Sequence, residues 1–135
     1  MGLLLELREQ KNVPYRYIEL AIVAVSKLNA CDYCVAHHKP LLVVEGLSEA
    51  GADTILEFKD HPELDEVDKL VVEYAIAVTN APQKIRDNVF ERLRAHFSEA
   101  QIVELTLRIA LCGFFNRFND ALQVDHPVTA GAEAD

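Results

Sequence analysis

The chain has 135 residues, half of them hydrophobic, with a formal net charge of −9 and only three cysteines. That length suits one domain able to bury a core without disulfide staples. The acidic balance argues against nucleic acid and anionic membrane surfaces as partners, because binding either takes a basic face that displaces counterions.

Apolar residues recur at three- and four-residue spacing almost everywhere, and nothing keeps the strict alternation of a half-buried strand. The pattern predicts an all-α fold. Residues 2–10 form a short first helix in this reading, closed by the polar stretch 10–12. Pro14 starts a second helix running to about Asn29, at a position where proline sacrifices no hydrogen bond. Asn29, three residues before Asp32, is suited to cap a third helix that begins at the cysteines and runs to Glu45. Gly46 stops it, and Pro40 inside it predicts a bend.

Ser48 caps a shorter helix over 49–58, followed by the loop "KDHP". Residues 63–80 begin acidic, as a helix N-terminus prefers, and Pro82 ends them. A helix over 84–96 follows, in which Arg92 and Arg94 alternate with acids as on a solvated face. Ser98 with Gln101 then makes a capping box for a long last helix through Gln123, stopped ahead of Pro127. The expectation is one domain over 1–128, a bundle of six or seven helices, with 129–135 as a loose tail too small and polar to pack.

No apolar run approaches the ~18 residues of a membrane span. Residues 1–7 carry Glu6 and lack the basic leader and cleavage site of a signal peptide. A cytoplasmic protein is therefore expected, where a lasting structural disulfide is not. Cys31 and Cys34 in "NACDYCVAHH" are then reactive, metal-binding or idle.

On a helix turning about 100° per residue, Cys31, Cys34 and His38 fall at roughly 0°, 300° and 340°, one stripe. His37 lies about 100° from His38 and Tyr33 points largely elsewhere, so His38 is the better partner for the thiols and His37 is expected to face solvent. A thiol pair at i and i+3 in a first turn can open and close as a disulfide. The helix start also stabilises a thiolate, and a neighbouring imidazole can take its proton.

Upstream, "YIELAIVAV" holds one charge, Glu19, among residues that should be buried on most sides. Packed as a hairpin, the two helices would bring Glu19 toward the cysteine stripe, where it could hold or exchange a proton. The plainer alternative is an exposed carboxylate near Arg16. His61, His96 and His126 sit by loop signals and are expected at the surface, and Cys112 in "IALCGFF" is expected as a small core residue.

A c-type haem site would need histidine where Val35 stands, and a thioredoxin motif would follow a strand. Zinc stays open, with Cys31, Cys34 and His38 as three ligands and His37 or an acid as the fourth, although no second ligand pair closes a structural site.

The order Glu19, eleven residues, "CDYC", three residues, His38 resembles the carboxymuconolactone decarboxylase superfamily, specifically its AhpD-like alkylhydroperoxidase branch. The likeness extends to the apolar helix before the cysteines, to "VFERLRAHFSEAQIVELTL" and to "NRFNDALQV". The resemblance implies an all-helical subunit forming a homo-oligomer, often a trimer or hexamer, and a thiol-dependent peroxidase or disulfide reductase that uses no cofactor and no metal. It implies Cys34 as the peroxidatic thiol, Cys31 as the resolving thiol, and His38 and Glu19 as members of a proton relay. The substrate would be a hydroperoxide, and the reductant a dithiol such as a lipoylated or thioredoxin-like protein. Tyr33 departs from the branch, whose best-described members carry a histidine between the cysteines, and this shortens the relay. Another class of function, a non-catalytic redox sensor or metal-binding CxxC protein, fits the same cysteines.

Overall fold

The structure is a computed structural model that describes residues 12–124 together with Gly2 and Glu6. The expected first helix, apart from those two residues, the Pro127 stop and the 129–135 tail lie outside the described residues. Among the described residues every regular element is helical: α1 (Tyr15–Leu28), α2 (Asp32–Val44), α3 (Glu49–Asp53), α4 (Glu66–Asn80), α5 (Asp87–Arg94) and α6 (Glu99–Ala121), with one 3-10 turn at Pro82–Lys84. No helix among these residues is long and apolar enough to cross a membrane.

Helix α1 is the axis of the fold. Its residues 18–26 are all buried, so no side faces water, and α2, α4 and α6 pack around it. A helix apolar all round has nowhere to go but a core, which is why "YIELAIVAV" sits at the centre. Leu20, Val23 and Val25 from α1 meet Leu42, Val71, Val72, Leu105 and Ile109, all with essentially no exposure. Each such side chain contributes about 1.5–3 kcal/mol by leaving water.

Two chain reversals fix the α1–α2 hairpin and its far end. After α1, Cys31 N–H reaches back to Ser26 C=O at 2.9 Å and Ala30 N–H to Lys27 C=O at 3.1 Å. This paired closure needs a left-handed residue, here Ala30 at φ 55°, where glycine is usual. After α2, the same closure uses Gly46 at φ 113°. Arg16 ties the packing together: its Nε and Nη2 donate to the two carboxylate oxygens of Asp68 at 2.9 and 2.6 Å, and its Nη1 donates to Glu45 C=O at 2.8 Å. Asp68 is wholly buried, so removing Arg16 alone would cost about 3–5 kcal/mol. Thus Arg16 serves α4, not Glu19.

Several expectations shift. Asn29 does not cap α2; it ends α1, and Cys31 is the N-cap. The helix expected over 49–58 stops at Asp53. There His61 Nε2–H donates to Gly51 C=O at 2.9 Å, and Thr54 Oγ1 donates to Ala50 C=O at 3.0 Å, replacing the next turn. His61 is therefore buried, not at the surface; Glu63 N–H donates to its Nδ1 at 3.1 Å. Residues 63–65 stay outside α4, whose capping box is Asp65 with Asp68. The helix expected over 84–96 contracts to Asp87–Arg94, because the turn Pro82–Lys84 and extended Ile85 precede it. The capping box of Ser98 and Gln101 stands as expected at the head of α6.

Candidate functional site

The reversal at Ala30 delivers Cys31 directly to the N-cap of α2, and Cys34 follows in its first turn. The sulfurs are joined as a disulfide across a Cα–Cα distance of 5.4 Å. Cys31 is fully buried, whereas Cys34 is 6% exposed and lines a cleft of 330 Å³ between α1, α2 and α6. The two sulfurs are thus unequal: a molecule entering the cleft meets Cys34.

One turn beyond, His38 also lines the cleft. Its Nδ1 lies 2.9 Å from Glu19 Oε2, and Glu19 is 5% exposed. A carboxylate oxygen accepts, so Nδ1 carries the hydrogen and Nε2 is left as the proton-accepting nitrogen of the neutral ring. Burial on α1 leaves Glu19 few solvent partners, and the imidazole supplies one. The four residues singled out in the sequence, Glu19, Cys31, Cys34 and His38, are brought to one place.

Beneath the disulfide lies a polar knot in an otherwise apolar core. Asn116 on α6, 1% exposed, donates through Nδ2 to Ser26 Oγ at 3.1 Å and accepts from Asn29 Nδ2 at 3.1 Å. Ser26 Oγ also lies 3.4 Å from Cys112 Sγ. Cys112 is buried as expected, and burial pushes its thiol up from the ordinary value. It nevertheless lines the same cleft as Cys34.

At the mouth, the rings of Tyr33 and His37 pack with centroids 4.4 Å apart. His37 is exposed, as expected, yet it borders the cleft. Apolar walls come from Ile22, Leu41, Leu111 and Phe115, and Arg108 adds a cation that is 6% exposed. Sequence reasoning missed Arg108, Asn116 and Asn119, whose Nδ2 donates to Cys34 Sγ at 3.7 Å. The available signal was the spacing of the two asparagines, three apart in an apolar helix and so on one face. Among the described residues no cluster of three or more histidine, cysteine or acidic side chains is placed to hold a metal ion.

A sulfur pair that can exchange two electrons, beside a carboxylate and imidazole that can carry a proton, is equipped for thiol–disulfide chemistry on a molecule held by apolar walls.

Comparison with known proteins bears on the family and the fold. A sequence model of the Carboxymuconolactone decarboxylase family matches residues 1–60, the part that holds Glu19, both site cysteines and His38. YnjA, an uncharacterized protein of Escherichia coli K12, is 25% identical over 118 residues, covering 86% of this chain and 65% of YnjA. This chain therefore spans just under two thirds of that relative's length. Among solved structures, ATU0492 of Agrobacterium tumefaciens, a protein of unknown function offered as a candidate antioxidant defence protein AhpD, superposes with a TM-score of 0.83 at 29% identity, over 94% of this chain and 87% of that one. The debrominase Bmp8 shares the fold, with a TM-score of 0.76 at 23% identity over 92% of this chain and 67% of Bmp8.

Proposed function

We propose that this chain, which belongs to the carboxymuconolactone decarboxylase superfamily in its AhpD-like branch, is a cofactor-free thiol peroxidase and disulfide reductase. The observation that carries this reading is the disulfide of Cys31 and Cys34 opening through Cys34 onto the cleft that His38, bonded to Glu19, also lines.

The cycle starts with both thiols reduced. His38 Nε2 takes the Cys34 proton, with Glu19 holding the imidazolium. The thiolate attacks the peroxide, an S–O bond forms as the O–O bond breaks, and the leaving alkoxide takes the proton from His38. Cys34 is left as a sulfenic acid. Cys31 thiol condenses with it, releasing water and closing the disulfide. An external dithiol, a lipoylated or thioredoxin-like protein, then attacks the sulfur at the cleft and returns two electrons, leaving oxidised itself.

The same reading places the protein in the cytoplasm, among reduced thiols, as a homo-oligomer, a trimer or hexamer. Phe114, Phe118 and Leu122 support the oligomer: they are 57%, 52% and 63% exposed and run along one edge of α6 to the residue that caps its end.

The deciding experiment adds one equivalent of cumene hydroperoxide to the reduced protein, counts thiols and maps links by mass spectrometry. Loss of two thiols with a Cys31–Cys34 link and release of one equivalent of alcohol is the expected result. Thiols that stay unreactive overturn the proposal, and oxidation with no turnover under any dithiol donor leaves a redox sensor in its place.

A further inference from the structure

Asn116 and Asn119 share one face of the last turns of α6, and between them they touch the support of both sulfurs. Asn116 holds Ser26 and Asn29, both on the α1 side of the reversal into Cys31. Asn119 Nδ2 reaches Cys34 Sγ itself, at 3.7 Å. A disulfide sulfur carries no hydrogen, so the amide NH2 must be the donor in this contact. Asn119 is also held at the backbone, because its C=O accepts Val124 N–H at 3.0 Å in the closure of α6 around Gln123 at φ 54°.

We infer that Asn119 is a further catalytic residue, a hydrogen-bond donor that stabilises the Cys34 thiolate; this rests on the reading of Cys34 as the reacting thiol. Cys34 lies in the first turn of α2, whose start favours a negative charge. Asn119, near the end of α6, turns an N–H toward the same sulfur from the neighbouring helix.

Charged and titratable groups also surround the cleft. Tyr33, His37 and His38 on α2 border the cleft, and Glu19 on α1 is bonded to His38. Arg108 on α6 borders the cleft, and Cys112 beside it is a buried thiol. Asn119 does not ionise, so its donor is present in every state of the relay. When the thiolate attacks, the negative charge leaves sulfur for the departing oxygen, and the proton for that oxygen comes from His38. Asn119 donates throughout and transfers nothing.

The test follows the pH dependence of iodoacetamide alkylation at Cys34 in the reduced full-length protein, resolved by mass spectrometry from Cys31 and Cys112. Asn119→Leu removes the donor and Asn119→Asp replaces it with an acceptor. The midpoint should rise by about one pH unit in Asn119→Leu and further in Asn119→Asp, and the rate below the midpoint should fall about tenfold or more. A raised midpoint in folded Asn119→Leu supports the inference, whereas a rise confined to Asn119→Asp reports only its added charge and overturns it. Unchanged midpoints, even with lowered melting temperatures, overturn it and leave Asn119 a structural residue. Wild-type oxidation by cumene hydroperoxide is measured alongside: its absence would remove the peroxidase reading while the midpoint order still decides the role of Asn119.

Discussion

His38 Nδ1 stands 2.9 Å from Glu19 Oε2, joining a side chain in the cleft to a carboxylate on the most buried helix of the fold. In the proposed cycle Glu19 holds the imidazolium once His38 has taken a proton, so Glu19→Gln should preserve the shape and lose that function. Single-turnover oxidation of Cys34 by a hydroperoxide should slow about 10²–10⁴-fold in Glu19→Gln and in His38→Asn. The double variant should be little slower than either alone, because the pair acts as one unit. Additive losses in stopped-flow measurements would show that the two do not work together.

The inequality of the two sulfurs makes a second prediction. Cys34→Ser should abolish peroxide consumption, since the buried Cys31 has no opening to the cleft. Cys31→Ser should allow one oxidation, trapped as a dimedone adduct on Cys34, and then stop. An active Cys34→Ser protein would reverse the assignment of the two cysteines.

Ala30 occupies a backbone region that costs a residue with a side chain about 1–2 kcal/mol. Part of that cost is returned by its smaller loss of chain entropy relative to glycine, about 0.5–1 kcal/mol. Ala30→Gly should therefore stabilise the protein by about 0.5–1 kcal/mol, and Ala30→Val should destabilise it, both read from urea denaturation. A loss of stability in Ala30→Gly would mean that the reversal does not adopt this conformation.

Cys112 sets a pH dependence at the alkaline end. Burial pushes its thiol up in the folded state. Below the unfolded-state value, about 8.5, both states hold the proton and stability is unaffected. As pH rises above that value the unfolded chain releases its proton first, and stability falls until the folded thiol also ionises. Urea midpoints at pH 7 and pH 10 should differ less in Cys112→Ser than in the parent chain. Equal differences would show that Cys112 ionises alike in both states.

Much of this site could be read before any coordinates. Cys31, Cys34 and His38 fall together from helical geometry alone, and Glu19 stands out because everything around it in "YIELAIVAV" is apolar. The Ser98 and Gln101 cap was legible because capping is local. What escaped was tertiary. Asn119 and Cys34 are 85 residues apart in the chain, and Arg16 and Asp68 are 52 apart; no periodicity encodes which turn of α6 meets which turn of α2. His61 misled because "KDHP" does mark a loop, but this loop folds inward and its imidazole serves the carbonyl of Gly51. Asn29 misled because a residue able to start one helix can also finish another, and Ala30 hid the reversal by not being glycine.

The burial of α1 along residues 18–26 has a consequence for heat. A carboxylate carried on a mobile loop can drift out of place while the rest of a protein stays folded, and activity then fades before the structure melts. Glu19 rides on the helix against which the others pack, and α1 cannot loosen without opening the whole core. The carboxylate of the proposed relay accordingly has no melting point of its own: warming should leave Glu19 in place up to the temperature at which the molecule unfolds, and then remove it all at once.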